Sequence, residues 1–412
     1  MNASRIPVLV QDQSVGDLIT NADDGTLDFR YHPDTPPALA VSLTMPVEAP
    51  SSDYQGFLGL PPPFEVHLPE GAVLESLRRR YHKLVDLDDD LALLRLTGQH
   101  GGGRVTYGGP YISDPLLDAK IMEAVRKPES HESLCDLFQK GDHVSAAGLS
   151  GIMPKMSAAD RGAHRPGAWR GEHVIVKFDG QEYPGSSAVE YVCLNVCRVA
   201  GLDVPAVTLS ADAKAISITR FARKADGSRI GFEDACALTG LHRHGKYRGT
   251  TEDLARMIDH FVPSDEQASA KKDLFARLIV NDLLRNGDAH LKNIGMTYEN
   301  PNRPRLAPVY DVLTTTVWLP KDLPALALRP GGAPAWMTER SLLETGRTMG
   351  VRPQAARQLY RAMRETVISA TESIARSLPA ADDRTGEAVA RLVRIVRSTP
   401  DILASARPMP LT

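Results

Sequence analysis

From Asp273 to Leu284 the apolar residues Leu274, Phe275, Leu278, Ile279 and Leu283 recur at helical spacing, and Asn286-Gly287 then breaks the pattern. That spacing predicts a buried helix which stops abruptly and releases the chain into a polar loop. Asp288 leads the loop and Asn293 follows five positions later. Eighteen residues beyond Asn293, the apolar run Leu306-Ala-Pro-Val-Tyr-Asp311-Val delivers a second carboxylate.

Phosphoryl transfer needs such groups. One carboxylate accepts the proton of the attacking hydroxyl, while an amide oxygen and another carboxylate hold magnesium on the phosphates. Protein kinases space the first pair as Asp-x4-Asn and carry the metal Asp on a later strand. Asp288, Asn293 and Asp311 follow that order. Gly287-Asp288-x-His290 is also similar to small-molecule kinases of the aminoglycoside type. Asn-Gly-Asp is a common turn as well, and a loop-capping role for Asp288 explains the same residues.

At 412 residues the chain has room for two or three domains and a substantial core. A net charge of −3 argues against direct nucleic-acid binding through a strongly basic face. No apolar run approaches the roughly 18 residues of a membrane span, and Met1 to Val8 lacks the pattern of a secretion signal. Cys193 and Cys197 lie one turn apart in an apolar helical run and read as core thiols. With Cys135 and Cys236 they suit a reducing, cytoplasmic setting.

Taken in order, residues 6–45 read as short strands, with Ile6–Val10, Leu27–Tyr31 and Ala40–Met45 apolar or alternating and Val15-Gly-Asp-Leu18 turning. A Pro-rich loop ends at Pro61-Pro62-Pro63, and helices are expected near 73–84 and 88–96. Gly98 to Gly103 lacks the Gly-Lys-Ser/Thr of a phosphate loop and reads as a turn into a strand at 104–107. These residues form a small α+β unit over 1–110, followed by a helical connector over 111–144. Small residues dominate Ser145 to Gly151, and such a loop can bring N–H groups close to phosphates or act as a linker. The strand His173-Val-Ile-Val-Lys177-Phe buries a lysine, which is costly unless paired. Ser186 is expected to cap a helix reaching Ala200, with Glu190 near its start. A strand lysine and a helix glutamate form the ion pair by which kinases hold the α- and β-phosphates; a structural salt bridge needs the same residues. Val204–Leu209 and Ala215–Arg220 complete the strands of a unit over 145–231, ending in Thr219-Arg220-Phe221. Over 232–412 helices are expected near 232–239, 250–262, 268–285, 338–349, 353–376 and 384–398.

Several motifs in order resemble the HipA kinase-toxins of bacterial toxin–antitoxin modules. They are Val15-Gly-Asp-Leu18, Leu68-Pro-Glu-Gly71, Leu149-Ser-Gly-Ile-Met-Pro-Lys155, Val174-Ile-Val-Lys177, Glu190-Tyr191, Arg220-Phe221-x-Arg223, Glu233-Asp234, Asn286-Gly-Asp-x-His-x-x-Asn293 and Ala307-Pro-x-Tyr310-Asp311. The resemblance spans nearly the whole chain. It implies an α+β, two-lobed protein-kinase-like fold with an N-terminal α+β subdomain and an all-helical C-terminal lobe. It further implies an ATP- and Mg2+-dependent serine/threonine kinase with Asp288 as catalytic base, Asn293 and Asp311 on the metal, and Lys177, paired with Glu190, on ATP. Ser150, Gly151, Thr219, Phe221, His290 and Tyr310 would line the nucleotide, with Thr219 to Phe221 as hinge. Family members phosphorylate aminoacyl-tRNA synthetases, glutamyl-tRNA synthetase among them, and stall translation. A HipB-like helix-turn-helix antitoxin neutralises them and supplies the DNA contact; no membrane is involved. Family members also inactivate themselves by phosphorylating a serine of the glycine-rich loop. One family position for that serine is Gly148 here, so Ser150 is the candidate and Ser145 a poorer one; Met153 replaces a glutamine usual in the family.

Two other readings compete. A small-molecule kinase fits Gly287-Asp288-x-His290 but leaves the first 110 residues without a use. A non-catalytic nucleotide-binding corepressor conflicts with the presence of every polar group that transfer requires.

Overall fold

The structure, a computed structural model, describes residues 5–83, 86, 88–100, 103–110, 115–127, 129–140, 153–160, 172–224, 226, 228–326 and 332–404. Three antiparallel sheets divide the strands.

The first sheet has the order β3-β2-β1-β4, from β1 (Arg5–Val10), β2 (Gln13–Thr20), β3 (Leu27–Tyr31) and β4 (Val105–Tyr107). The β1–β2 connection is Gln11-Asp12, both at positive φ (50° and 63°), as a tight twisted hairpin demands. Val15 to Leu18, expected as the turn, therefore runs inside β2, and Gly16 lets the Arg30 carbonyl approach where a Cβ would overlap it. Ala40–Met45 is not a strand. Pro37 opens a 3-10 turn, and the Leu43 amide and Ser42 hydroxyl are taken by the Glu233 carboxylate rather than by a sheet edge. Three helices pack on this unit: α1 (Pro62–Glu65), α2 (Gly71–Tyr81) and α3 (Asp90–Thr97).

Helices α4 (Pro115–Arg126) and α5 (Ser130–Lys140) do more than connect. They cover one face of the second sheet, ordered β5-β6-β8-β7, from β5 (Lys155–Asp160), β6 (Glu172–Phe178), β7 (Val207–Leu209) and β8 (Ala215–Thr219). Val174, Val176 and Phe178 share a core with Ile121, Leu134 and the first sheet. Ile216 and Ile218 point the other way, into a core with α6 (Ser186–Val199) and the helical lobe. Lys177 lies opposite Ile216 in the β6–β8 register and so shares that second face.

The N-cap of α6 is Gly185 at φ 78°, one residue before the Ser186 expected there. Asp179, at the end of β6, displaces the local cap: its carboxylate accepts from the amides of Gly185 (2.6 Å) and Ser187 (2.8 Å) and from the Ser186 hydroxyl (3.1 Å). A carboxylate at a helix start satisfies orphan N–H groups and favours the dipole. Cys193 and Cys197 are buried inside α6, and burial pushes the Cys193 thiol up to about 12.

The helical lobe is not all helical. Its third sheet, β11-β10-β9, joins β9 (Gly231–Asp234), β10 (Gly295–Tyr298) and β11 (Arg305–Leu306). The helix expected at 232–239 is thus a strand followed by the short α7 (Ala235–Leu238), because Asp234 ends β9 and caps α7 through the Ala237 amide. The remaining helices fall where periodicity places them: α8 (Thr251–Phe261), α9 (Gln267–Leu283), α10 (Glu339–Thr348), α11 (Pro353–Arg376) and α12 (Asp383–Ser398). Among the described residues no helix is long and apolar enough to cross a membrane.

Candidate active site

Lys177 on β6 is 6% exposed, and its Nζ lies 2.6 Å from Glu190 Oε1 on α6. It also contacts Asp311, which returns from beyond β11. Asp311 is not on a strand; it sits at φ 52°, a left-handed conformation that holds its side chain back toward β6. Burial alone would lower the Lys177 ammonium, but the two carboxylates outweigh it and hold it above its ordinary value. Burial works to raise Asp311 too, yet Lys177 and Lys155 keep it well below the carboxylate range. Glu190, more deeply buried, is raised, chiefly by desolvation.

The loop after α9 is held at every turn. Asn286 Oδ1 accepts from the Asp288 amide (3.1 Å), and Asn293 Nδ2 donates to the Asp288 carbonyl (2.7 Å). The Gly287 amide donates to Thr315 Oγ1 (2.8 Å), and a Cβ at Gly287 would overlap the Asp322 carboxylate. The Asp288 side chain is 38% exposed and accepts from the Tyr247 hydroxyl at 2.7 Å. His290 is buried against Tyr247, ring centroids 5.1 Å apart, with its Nδ1 lacking a hydrogen-bond partner among the described residues.

Two cavities meet at Lys155, Lys177 and Asp311. The smaller, about 130 Å³, is apolar; Ile175, Ile218, Thr219, Phe221, Phe232 and Tyr310 line it. Phe221, Phe232 and Tyr310 pack edge-on or tilted against one another, ring centroids 5.3–5.7 Å apart. The larger, about 350 Å³, holds Glu190, Asp288, His290 and Asn293. The fold thus brings together Lys177, Glu190, Thr219, Phe221, Asp288, His290, Asn293, Tyr310 and Asp311. Ser150, Gly151, Gly148 and Ser145 lie outside the described residues.

Lys155, which closes the Leu149–Lys155 motif but was given no role, and Tyr247 also line the larger cavity. The β5–β6 register sets Lys155 opposite Lys177, and their repulsion together with burial brings Lys155 down to about 8, burial being the larger cause. Two lysines on neighbouring strands of one face were a usable signal; the Tyr247–Asp288 contact left none in sequence.

His67 and His290 are both pushed down to about 4, first by burial. A depressed histidine binds its proton more readily when unfolded, so its contribution is complete above about 6.5 and is lost as pH falls toward 4. Each costs roughly 3 kcal/mol at full protonation. Melting curves at pH 7 and 4.5 should therefore diverge less for His67→Phe than for the wild type; equal acid sensitivity would mean that burial does not depress His67 in the folded state.

An apolar slot and an acidic loop that share a strand lysine define a two-lobed, kinase-like protein. A family model described as the HipA-like C-terminal domain matches residues 147–371, and one described as the HipA N-terminal domain matches residues 6–108. The chain belongs to the HipA family. It is 27% identical over 326 residues to "Putative kinase Y4dM" of Sinorhizobium fredii, covering 73% of this chain and 75% of that protein. A "Putative kinase" of Haemophilus influenzae is 26% identical over 180 residues, 41% of this chain and 52% of that one. The fold is similar to a chain of the Shewanella oneidensis MR-1 HipA, HipB and operator DNA complex, with TM-score 0.69, 18% identity and coverage of 95% and 96%.

Proposed function

We propose that the chain is an ATP-dependent serine/threonine protein kinase, the toxin of a HipA/HipB-type module. Its proposed substrate is an aminoacyl-tRNA synthetase such as glutamyl-tRNA synthetase, and its proposed setting is the cytoplasm. The observation that carries the reading is the Lys177–Glu190 pair at 2.6 Å, on the seam of two cavities that also hold Asp288 and Asp311. A base takes the slot between Thr219 and Phe221, against Tyr310, and its phosphates run past Lys177. The unpartnered Nδ1 of the neutral His290 suits a donor to a phosphate oxygen. Asp288 accepts the proton of the incoming hydroxyl at the open end of the larger cavity.

The donor set fits magnesium. Asn293 commits its amide nitrogen to the Asp288 carbonyl, which leaves Oδ1 for a cation, and Asp311 stays ionised. Magnesium prefers one or two such ligands completed by phosphates and water, and when bound it neutralises phosphate charge. Family membership supports a HipB-like helix-turn-helix partner, and the net charge of −3 leaves DNA contact to that partner. Ser150 is the proposed site of self-inactivating phosphorylation.

Incubation with magnesium and radiolabelled ATP, alone and with a panel of synthetases, tests the reading. Asp288-dependent label on a synthetase serine is expected, with label on the chain itself mapping to Ser150. Label confined to small molecules would replace this reading with a small-molecule kinase, and bound ATP without any transfer would replace it with a nucleotide-binding corepressor.

A further inference from the structure

The motif Leu68-Pro-Glu-Gly71 is not used by the chemistry above. Glu70 is the N-cap residue of α2, yet its side chain accepts no hydrogen bond from that helix. An acidic residue at a helix start ordinarily serves the helix's own N–H groups. Glu70 is aimed elsewhere, at the loop that carries Asp288 and Asn293. Its Oε1 lies 2.6 Å from Nζ of Lys292 and its Oε2 4.0 Å from Nζ of Lys246.

Each lysine adjoins a working residue. Lys292 directly precedes Asn293, and its carbonyl accepts from the Tyr310 hydroxyl at 2.9 Å. Lys246 directly precedes Tyr247, whose hydroxyl holds Asp288, and the Lys246 carbonyl accepts from the Leu291 amide at 3.2 Å. The Lys292 side chain is 3% exposed, with Asp234 as a second carboxylate at 4.0 Å. An ammonium buried that deeply is fixed by its counter-charges, because leaving them strands a charge in the interior.

We infer that Glu70 is a positioning residue for phosphoryl transfer: a carboxylate of the N-terminal unit that fixes Asn293 through Lys292 and Asp288 through Lys246 and Tyr247. The inference rests on the kinase reading. It makes the N-terminal unit a working part of the site, since a residue 222 positions before Lys292 sets the geometry of the catalytic loop.

Glu70→Gln, nearly isosteric, tests it in the full-length chain. Displacements of about 1 Å at a reacting centre cost up to ~100-fold, so kcat should fall by about tenfold or more. The magnesium concentration for half-maximal rate should rise, because the Lys292 that loses its counter-charge directly precedes Asn293. Amide hydrogen exchange should quicken over 286–294 and not in β6. A merely structural Glu70 would lower the melting temperature with kcat and magnesium dependence intact, and that result overturns the inference. Should the variant fail to fold, Lys246→Met removes the second arm alone and should slow kcat in the same direction; an unaltered rate overturns the inference equally. If the wild type itself transfers no phosphate, the kinase reading has failed, and exchange decides the positioning role alone: faster exchange in Glu70→Gln sustains it and unchanged exchange removes it.

Discussion

Asp288→Asn should leave the fold intact and slow phosphate transfer by roughly 10²–10⁴-fold, the range for loss of a positioned general base. The argument is local. Asp288 is half-exposed, and asparagine still accepts the Tyr247 hydroxyl. The bonds that shape the loop, from Asn293 to the Asp288 carbonyl and from the Asp288 amide to Asn286, are made by backbone atoms of residue 288 and survive the change. Only the proton acceptor disappears. Melting temperature and nucleotide affinity should match the wild type, and label transfer from ATP should drop to background. A variant that keeps its rate would move the base to another residue.

Lys177→Met should damage both activity and stability. The lysine is the counter-charge of the buried Glu190 and the partly buried Asp311, and its loss leaves the two carboxylates facing each other. Breaking a buried pair costs about 3–5 kcal/mol. The pH dependence identifies the cause. In the wild type the Lys177 ammonium is held above its unfolded value, so its stabilisation is complete at neutral pH and is lost only in alkali. In the variant Glu190, already raised by burial, should take up a proton as pH falls, so the deficit against wild type should shrink between pH 7 and 5. Adding Glu190→Gln to Lys177→Met should restore much of the stability at pH 7 and none of the activity. A stability deficit independent of pH, or a double variant no more stable than the single one, would mean that lost packing and not stranded charge is responsible.

How far the sequence reached differs from element to element. Helices α8 to α12 were legible within a residue or two because each carries its own apolar stripe; Thr250 and Thr338 also close capping boxes at the starts of α8 and α10, while α9 and α11 begin without a side-chain cap. The strand-like run at Ala40–Met45 misled because Glu233, from 190 residues away, claims its polar groups. Ser186 looked like a cap until Asp179 supplied one from the preceding strand. Residues 232–239 looked helical because a four-residue strand pairing with β10 leaves no periodicity of its own.

The sequence by itself determined that a lysine is buried in an apolar strand, that Asp288 and Asn293 share one loop after a core helix, and that an acid follows at Asp311. Periodicity, turn chemistry and the cost of burying an unpaired charge act over short stretches and can be read from them. Only the tertiary structure decided which carboxylates meet Lys177, one 13 and the other 134 positions away, and that Tyr247 bonds Asp288 and Glu70 pairs with Lys292. A buried ammonium requires partners, but the path of the whole chain chooses them, because an ion pair depends on distances of a few ångströms that no local pattern encodes.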